Sequence, residues 1–312
     1  MNVVGIALAA ILMTAVAAAG LLYLAPERVT RFVVERGRRR AGLVRKEIDL
    51  PGGLQYVCLE GGSGEPLVLL HGFGGMKDNF AEVARFLTPR FRIVIPDQIG
   101  FAESSHPRDG DYSSHGQAGH LHALLQVLGI GCVHIGGNSM GGQIALAYAA
   151  RYRSEVASLW LLDPGGVHSA PRSEMVKRLE AGGRNPYLIE SVEHYAHMIK
   201  FVMRRPPCLP RPVLEVLAQD SIRNLELQRH IFRTIRDDAL EDRITGLTTP
   251  TLIVWGEDDP VWHVGTAEIL HELVPNSQVV IMPGVRHVPM MEEPRQCAED
   301  YLRFRDSLPK HR

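Results

Sequence analysis

The five residues Gly137-Asn138-Ser139-Met140-Gly141 constrain this chain more than any other stretch. They follow the apolar run "CVHIG" and open a series of small and apolar residues, through Tyr152, that reads as a helix. A strand that passes into a helix within so few residues puts its central serine on a tight turn, commonly at unfavourable φ/ψ. Side chains on either side of that serine would collide across the turn, and Gly137 and Gly141 remove them. The helix that follows aims free N–H groups and its positive end at the same point, where an oxyanion would form. This G-x-S-x-G spacing between strand and helix points to Ser139 as a nucleophile rather than a passenger on a glycine-softened turn.

A serine nucleophile needs a base, the base needs an orienting acid, and the oxyanion needs a second donor. The loop His71-Gly72-Phe73-Gly74-Gly75 follows the apolar run Leu67 to Leu70 and offers the Phe73 N–H beside that of Met140. His71 itself reads as structural, because the donor required is a main-chain one. The stretch "WGEDDPVW" places Asp258 and Asp259 just past a strand end, where active sites of open parallel sheets lie. "GVRHVPMMEEP" places His287 in the loop after the last strand, so the chain order is Ser139, Asp259, His287. Asp258 stays open as the acid, as does Asp163 at the end of an earlier strand. Glu257 to Asp259 are consecutive and cannot all face one ion, and no histidine pair stands at ligand spacing, so no metal is expected. The reaction needs no organic cofactor.

Around these motifs strands alternate with helices. "LVLLH", "FRIVIPD", "CVHIGG", "VASLWLLDP", "TLIVWG" and "QVVIMPG" read as strands. Phe80, Val83, Ala84 and Leu87 mark one intervening helix, Leu121, Leu124, Leu125 and Leu128 another, and a last helix spans about 295–308. Such alternation predicts an α/β fold, a mostly parallel sheet with helices on both faces. Residues 165–242 break the rhythm and read as a helical cap, leaving 51–164 and 243–312 as the core. In the cap Met175, Met198, Ile199, Phe201 and Val202 are candidates to line an acyl groove, although methionine and phenylalanine at helical spacing also serve simple packing. A net charge of −1 supplies no field for a polyanion, so no nucleic-acid partner is expected. Cys58, Cys132, Cys208 and Cys297 lie far apart and fit neither a disulfide framework nor a zinc site.

The N-terminus adds a separate signal. Val3 to Ala25 carries no charged residue, and as a helix it would span roughly 34 Å, enough to cross a bilayer core. The run is longer than a signal-peptide core and no Lys or Arg precedes it, which favours an uncleaved anchor over 1–26. Arg28, Arg31, Arg36, Arg38, Arg39, Arg40, Arg45 and Lys46 follow, placing the main domain on the cytoplasmic side by the positive-inside rule. Residues 27–50 read as a basic helix or linker, with Val29, Phe32 and Val33 on one side and the bilayer as partner. A homodimer through this segment is left open.

The motifs "HGFGGMKDNF", "PDQIGFAES", "GNSMGGQ", "WGEDDPVW" and "GVRHVPMMEEP" together resemble those of the α/β-hydrolase family, over about 53–308. With the apolar N-terminus, the chain resembles the membrane-anchored monoacylglycerol lipase branch and its bacterial relatives, inner-membrane esterases and a phospholipase A. The resemblance implies an eight-stranded sheet with a helical cap, Ser139 as nucleophile, Asp259 as acid and His287 as base. Phe73 and Met140 would supply the oxyanion N–H groups. It implies a lipid-ester substrate and a single-span protein of a bacterial inner membrane, with a periplasmic catalytic domain that opposes the charge argument. One loop departs from the family pattern: Asp97 to Ser104 carries Ile99 and Ala102 at the usual Pro and Gly positions. Because that loop is expected to line the pocket, substrate details are affected and the triad is not.

The expected activity is serine carboxylester hydrolysis releasing fatty acid from monoacylglycerol, lysophospholipid or phospholipid. The runner-up is a carbon–carbon bond hydrolase of ring-cleavage products, a group that shares "GNSMGG" but is generally soluble. A cofactor-free peroxidase-like esterase is a further enzyme alternative, and a non-catalytic membrane protein on this fold is a different class. The last would be expected to lose a triad member, and none is missing.

Overall fold

The computed structural model describes residues 20–308. Its strands are β1 (Leu43–Asp49), β2 (Gln55–Gly61), β3 (Glu65–Leu70), β4 (Phe91–Pro96), β5 (Val133–Asn138), β6 (Val156–Leu162), β7 (Thr251–Gly256) and β8 (Ser277–Met282). They form one eight-stranded sheet in the order β1-β2-β4-β3-β5-β6-β7-β8. β2 pairs antiparallel with β1 and β4, and all other neighbours are parallel. The central strands β5, β6 and β7 are buried at every position. That is why they read as continuous apolar runs and not as alternation. Successive side chains of β6 feed opposite faces: Leu159 and Leu161 enter one core, Trp160 and Leu162 the other.

Helices cover both faces. α1 (Pro26–Arg40) precedes the sheet, and α2 (Ala81–Ala84), α3 (Ser114–Val127) and α4 (Met140–Arg151) connect the strands from β3 to β6. Between β6 and β7 the chain forms the cap helices α5 (Glu174–Glu180), α6 (Val192–Val202), α7 (Arg211–Arg223), α8 (Leu225–Arg236) and α9 (Glu241–Ile244). α10 (Thr266–Leu273) separates β7 from β8, and α11 (Pro289–Glu292) and α12 (Pro294–Ser307) close the chain. Leu121, Leu124 and Leu125 of α3 pack with Ile144 and Leu146 of α4 on one face, whereas Val83 of α2 and Tyr301 and Phe304 of α12 pack on the other. The cap helices start on sequence-local signals. Ser173 and Ser191 accept hydrogen bonds from the N–H groups of Val176 and His194, and Pro212 sits in the first turn of α7.

The chain proceeds from β3 to β4 on one side and returns to place β5 on the other side of β3. The crevice at the carboxyl ends of β3 and β5 is therefore the switch point at which such sheets bind ligands.

Two expectations change at the N-terminus. Among the described residues no helix is long and apolar enough to cross a membrane, and residues 1–19 of the segment expected to span the bilayer lie outside the described ones. The structure therefore does not support an N-terminal transmembrane helix, and the membrane-anchored branch, the bilayer partner and the single-span inner-membrane location that rested on it are withdrawn. Several of the basic residues have other partners. Arg38 donates twice to Asp78, each bond 2.7 Å, Arg45 pairs with Glu47 and Glu103, and Lys46 with Glu60. Phe32 and Val33 are exposed, while Thr30 is buried. The second change is β1, a strand inside the stretch read as helix or linker. As the polar outer edge of the sheet, with Arg45, Lys46 and Glu47 exposed, it carries almost no hydrophobic signal.

Candidate active site

Ser139 stands between β5 and α4 with φ 54° and ψ −118°. This conformation is rare for a residue with a Cβ and is held by several bonds. Ser139 N–H donates to Leu162 O at 3.0 Å, and its carbonyl accepts from Gln143 N and Gly165 N, both at 3.0 Å. The two glycines answer different crowding. A Cβ on Gly137 would lie 2.3 Å from the Gly141 carbonyl carbon and oxygen, whereas one on Gly141 would lie 2.1 Å from Leu70 O of β3. Gly137 thus closes the turn, and Gly141 lets α4 press against the neighbouring strand.

Phe73 lies in the loop after β3, and Met140 is the first residue of α4. Their main-chain N–H groups have no acceptor among the described residues. His71 is fully buried with both ring nitrogens engaged: Nε2 accepts from Gln98 N–H at 2.9 Å, and Nδ1 donates to Gly72 O at 2.8 Å. Burial holds its pKa below the usual imidazole value, so it stays neutral and ties two loops together. Lys77, two residues beyond this glycine loop, was given no role from the sequence. It is buried and bonds Asp97 through Nζ at 2.6 Å and through its N–H at 2.7 Å, fixing the Phe73 loop to the end of β4.

The Asp97–Ser104 loop, expected to line the pocket, lines neither cavity at the site. Ile99 and Phe101 are buried, Phe101 packs edge-on against His71 and Phe73, and Ala102 adopts φ 49° where the family pattern has glycine.

Asp259 and His287, from the loops after β7 and β8, are joined by a 2.8 Å bond between Oδ2 and Nδ1. The other Asp259 oxygen accepts from Val261 N at 2.7 Å and Trp262 N at 3.3 Å. His287 Nε2 is buried and has no partner among the described residues, and His287 lines a cavity together with Ser139. No hydrogen bond joins Ser139 Oγ to Nε2, a spacing that commonly tightens only with substrate bound. Asn138, missed in the sequence, donates through Nδ2 to Leu162 O at 3.0 Å and His287 O at 2.9 Å, anchoring the histidine loop to the serine turn. Asp258 faces outward and pairs with Arg204.

Two cavities meet at the serine and share Phe73, Ser139 and Tyr187. One, of about 230 Å³, is walled by Met198, Ile199, Val202, Leu217 and Met290, with Val34 of α1 at its edge. The second, of about 420 Å³, has Met175, Phe232 and Trp262 among its walls and His168, Arg172, Glu180 and Arg236 among its polar groups. Of the cap residues proposed for an acyl groove, Met198, Ile199 and Val202 line the first cavity and Met175 the second, whereas Phe201 packs against a core cluster and lines neither.

A family model for the alpha/beta hydrolase fold matches residues 65–188. The chain is 43% identical to Lipase 1 of Psychrobacter immobilis over 91% of this chain and 90% of that one. Among solved structures it is similar to a bacterial membrane phospholipase A, with a TM-score of 0.87, 36% identity, and 96% and 97% of the two chains covered. It is also similar to a serine hydrolase involved in carbazole degradation, with a TM-score of 0.72, 25% identity, and 85% and 99% covered.

Proposed function

The chain belongs to the α/β-hydrolase family and is a hydrolase related to bacterial lipases, and on that premise we propose that it is a serine carboxylester hydrolase that releases fatty acid from lipid esters. The observation that carries this reading is the juxtaposition at one cavity of a strained serine and an imidazole already bonded to a carboxylate.

In this reading His287 Nε2 takes the proton of Ser139 as Oγ attacks the ester carbonyl. Asp259 holds the ring through Nδ1 and stabilises its charged form. The oxyanion is met by the N–H groups of Phe73 and Met140, each worth about 3 kcal/mol in the transition state. His287 then returns its proton to the departing alcohol, leaving an acyl-enzyme. Water deprotonated by the same nitrogen attacks the acyl carbonyl, and the fatty acid leaves as Ser139 is reprotonated. Because a general base must be unprotonated to act, activity falls on acidification. The apolar cavity suits the acyl chain, and the cavity with charged groups suits the alcohol portion.

Fatty-acid release from monoacylglycerol, lysophospholipid, diacyl phospholipid and short nitrophenyl esters tests the reading, with Ser139→Ala as control. Release from the lipids that depends on Ser139 supports it, and the rank order names the head group. Turnover of short esters alone reduces it to a general esterase. One second reading, already raised by the shared "GNSMGG" motif, is hydrolysis of a carbon–carbon bond in a ring-cleavage product, and the likeness to a serine hydrolase involved in carbazole degradation is compatible with it. Turnover of such a diketone with no ester hydrolysis would select it.

A further inference from the structure

A second carboxyl group lies beside the acid and base, and the mechanism above does not use it. Asp163 follows β6, is fully buried, and adopts φ 46°. Its side-chain and main-chain bonds fix it against β7: Oδ1 accepts from Gly256 N–H at 2.8 Å, and its own N–H donates to Val254 O at 3.0 Å. One ligand atom from each of Asp163, Asp259 and His287 lies within 4.8 Å of the others. Asp163 Oδ2 is shielded from solvent and accepts no N–H or hydroxyl hydrogen bond among the described residues.

Two carboxylates so close and so dry cannot both be ionised. Asp259 already accepts from the His287 ring and from two main-chain N–H groups, so the negative charge is best satisfied there. Asp163 receives a single N–H bond, leaving its other oxygen as the site for the shared proton. We propose that Asp163 is held as a neutral carboxylic acid whose Oδ2–H donates to the Asp259 carboxylate, making it a positioning residue for the triad acid. Burial, followed by the adjacent Asp259 charge, pushes the Asp163 carboxyl well above the ordinary range, against the pull of Gly256 N–H. The other groups facing it are consistent with one negative charge at this point: His287 from the β8 loop, Tyr187 from the cap, Glu292 of α11 and Cys297 of α12. Burial raises the Tyr187 hydroxyl and the Cys297 thiol, so both stay neutral. The donated bond fixes the Asp259 carboxylate in the plane of the imidazole and lowers its basicity, so it stabilises the imidazolium without taking its proton.

The proposal rests on Asp259 and His287 acting as acid and base, and its test separates the two claims. Infrared difference spectra of wild type minus Asp163→Asn, recorded at neutral pH without substrate, are expected to contain the carbonyl band of a protonated carboxylic acid. Its absence would overturn the proposal whatever the enzyme hydrolyses, whereas ester hydrolysis that survives in Ser139→Ala would overturn the triad reading alone. In kinetics, Asp163→Leu is expected to lower kcat about 10- to 100-fold with little change in KM. Asp163→Asn, whose amide can still donate, is expected to recover most of that loss with the acid limb of the pH profile unmoved. An acid limb shifted to lower pH in Asp163→Asn would mean that a charge had been removed, and would contradict a neutral Asp163. Loss of activity in EDTA would point to a cation between the carboxylates and also overturn the proposal. Should Asp163→Leu fail to fold, the spectrum and the asparagine variant still decide.

Discussion

The carboxyl edge of the sheet and the cap both wall the cavities at Ser139, but they are built on different terms. At the sheet edge directional bonds fix the candidate residues. Ser139 is held by main-chain bonds in a strained conformation, Asp259 accepts three bonds, and Asn138 ties two loops together. The cap supplies surface through methionine, isoleucine and leucine side chains that make no directional bonds to the site. Some of its charged groups pair with one another at the surface, Arg172 with Glu180 and Arg236 with Asp237, while Arg204 reaches Asp258 of the core. On the proposed reading, the directional bonds lie where parallel strands deliver loops in register, and the cap shapes the cavities around them.

Substitutions that separate the two regions test this division. Ser139→Ala should lower kcat about 10⁵- to 10⁶-fold in a steady-state ester assay while leaving substrate binding largely intact. A loss below about 100-fold would break the comparison at its centre. Asp259→Asn should cost about 10⁴-fold with retained fold, because the ring would be held in the wrong tautomer. Matched alanine substitutions at glycines come next, read as melting temperatures. Gly141→Ala must accommodate a Cβ 2.1 Å from Leu70 O and should cost about 3 kcal/mol or more. Gly182→Ala in the cap meets a left-handed φ of 75°, which Gly141 does not have, but has open space around it, and should cost only about 1 kcal/mol. Equal costs would mean that the two regions are equally tolerant.

Filling the cap side of the first cavity with Leu217→Trp should change kcat/KM for short esters less than about tenfold and lower it progressively with acyl length. A further test concerns pH. Because the folded-state pKa of Asp163 is raised, its contribution to stability is full below about pH 4 and is lost as pH rises toward that pKa. Asp163→Asn does not titrate, so its stability relative to wild type should improve above about pH 4, by at most about 1.4 kcal/mol per pH unit. Denaturant unfolding at several pH values measures it.

The sheet edge was readable in advance because its signals are local. A strand, two glycines and a serine within a few residues define the turn, and a strand end followed by an acid or a histidine defines the partners. Asp163 was readable only as an alternative to Asp259, not as its neighbour, since their proximity follows from the β6–β7 register that sets Leu162 against Val254. The buried Lys77–Asp97 pair joins residues twenty apart in sequence, and nothing near either one signals burial of a lysine. β1 was hidden because an edge strand keeps its charges. In the cap, Phe201 and Val202 are adjacent on α6 and equally apolar, and only the packing decides that Val202 alone lines the cavity. The apolar N-terminal run met the length criterion for a span, yet the helix that follows begins afresh at Pro26 and several of its basic neighbours bond the core.

Reaction of the full chain with a fluorophosphonate ester, with the adduct located by peptide mass spectrometry, decides whether Ser139 is the nucleophile. A single stoichiometric adduct on Ser139 is expected, absent from Ser139→Ala and strongly slowed in His287→Ala. An unlabelled Ser139, or labelling that persists in Ser139→Ala, would contradict a serine hydrolase built on this turn.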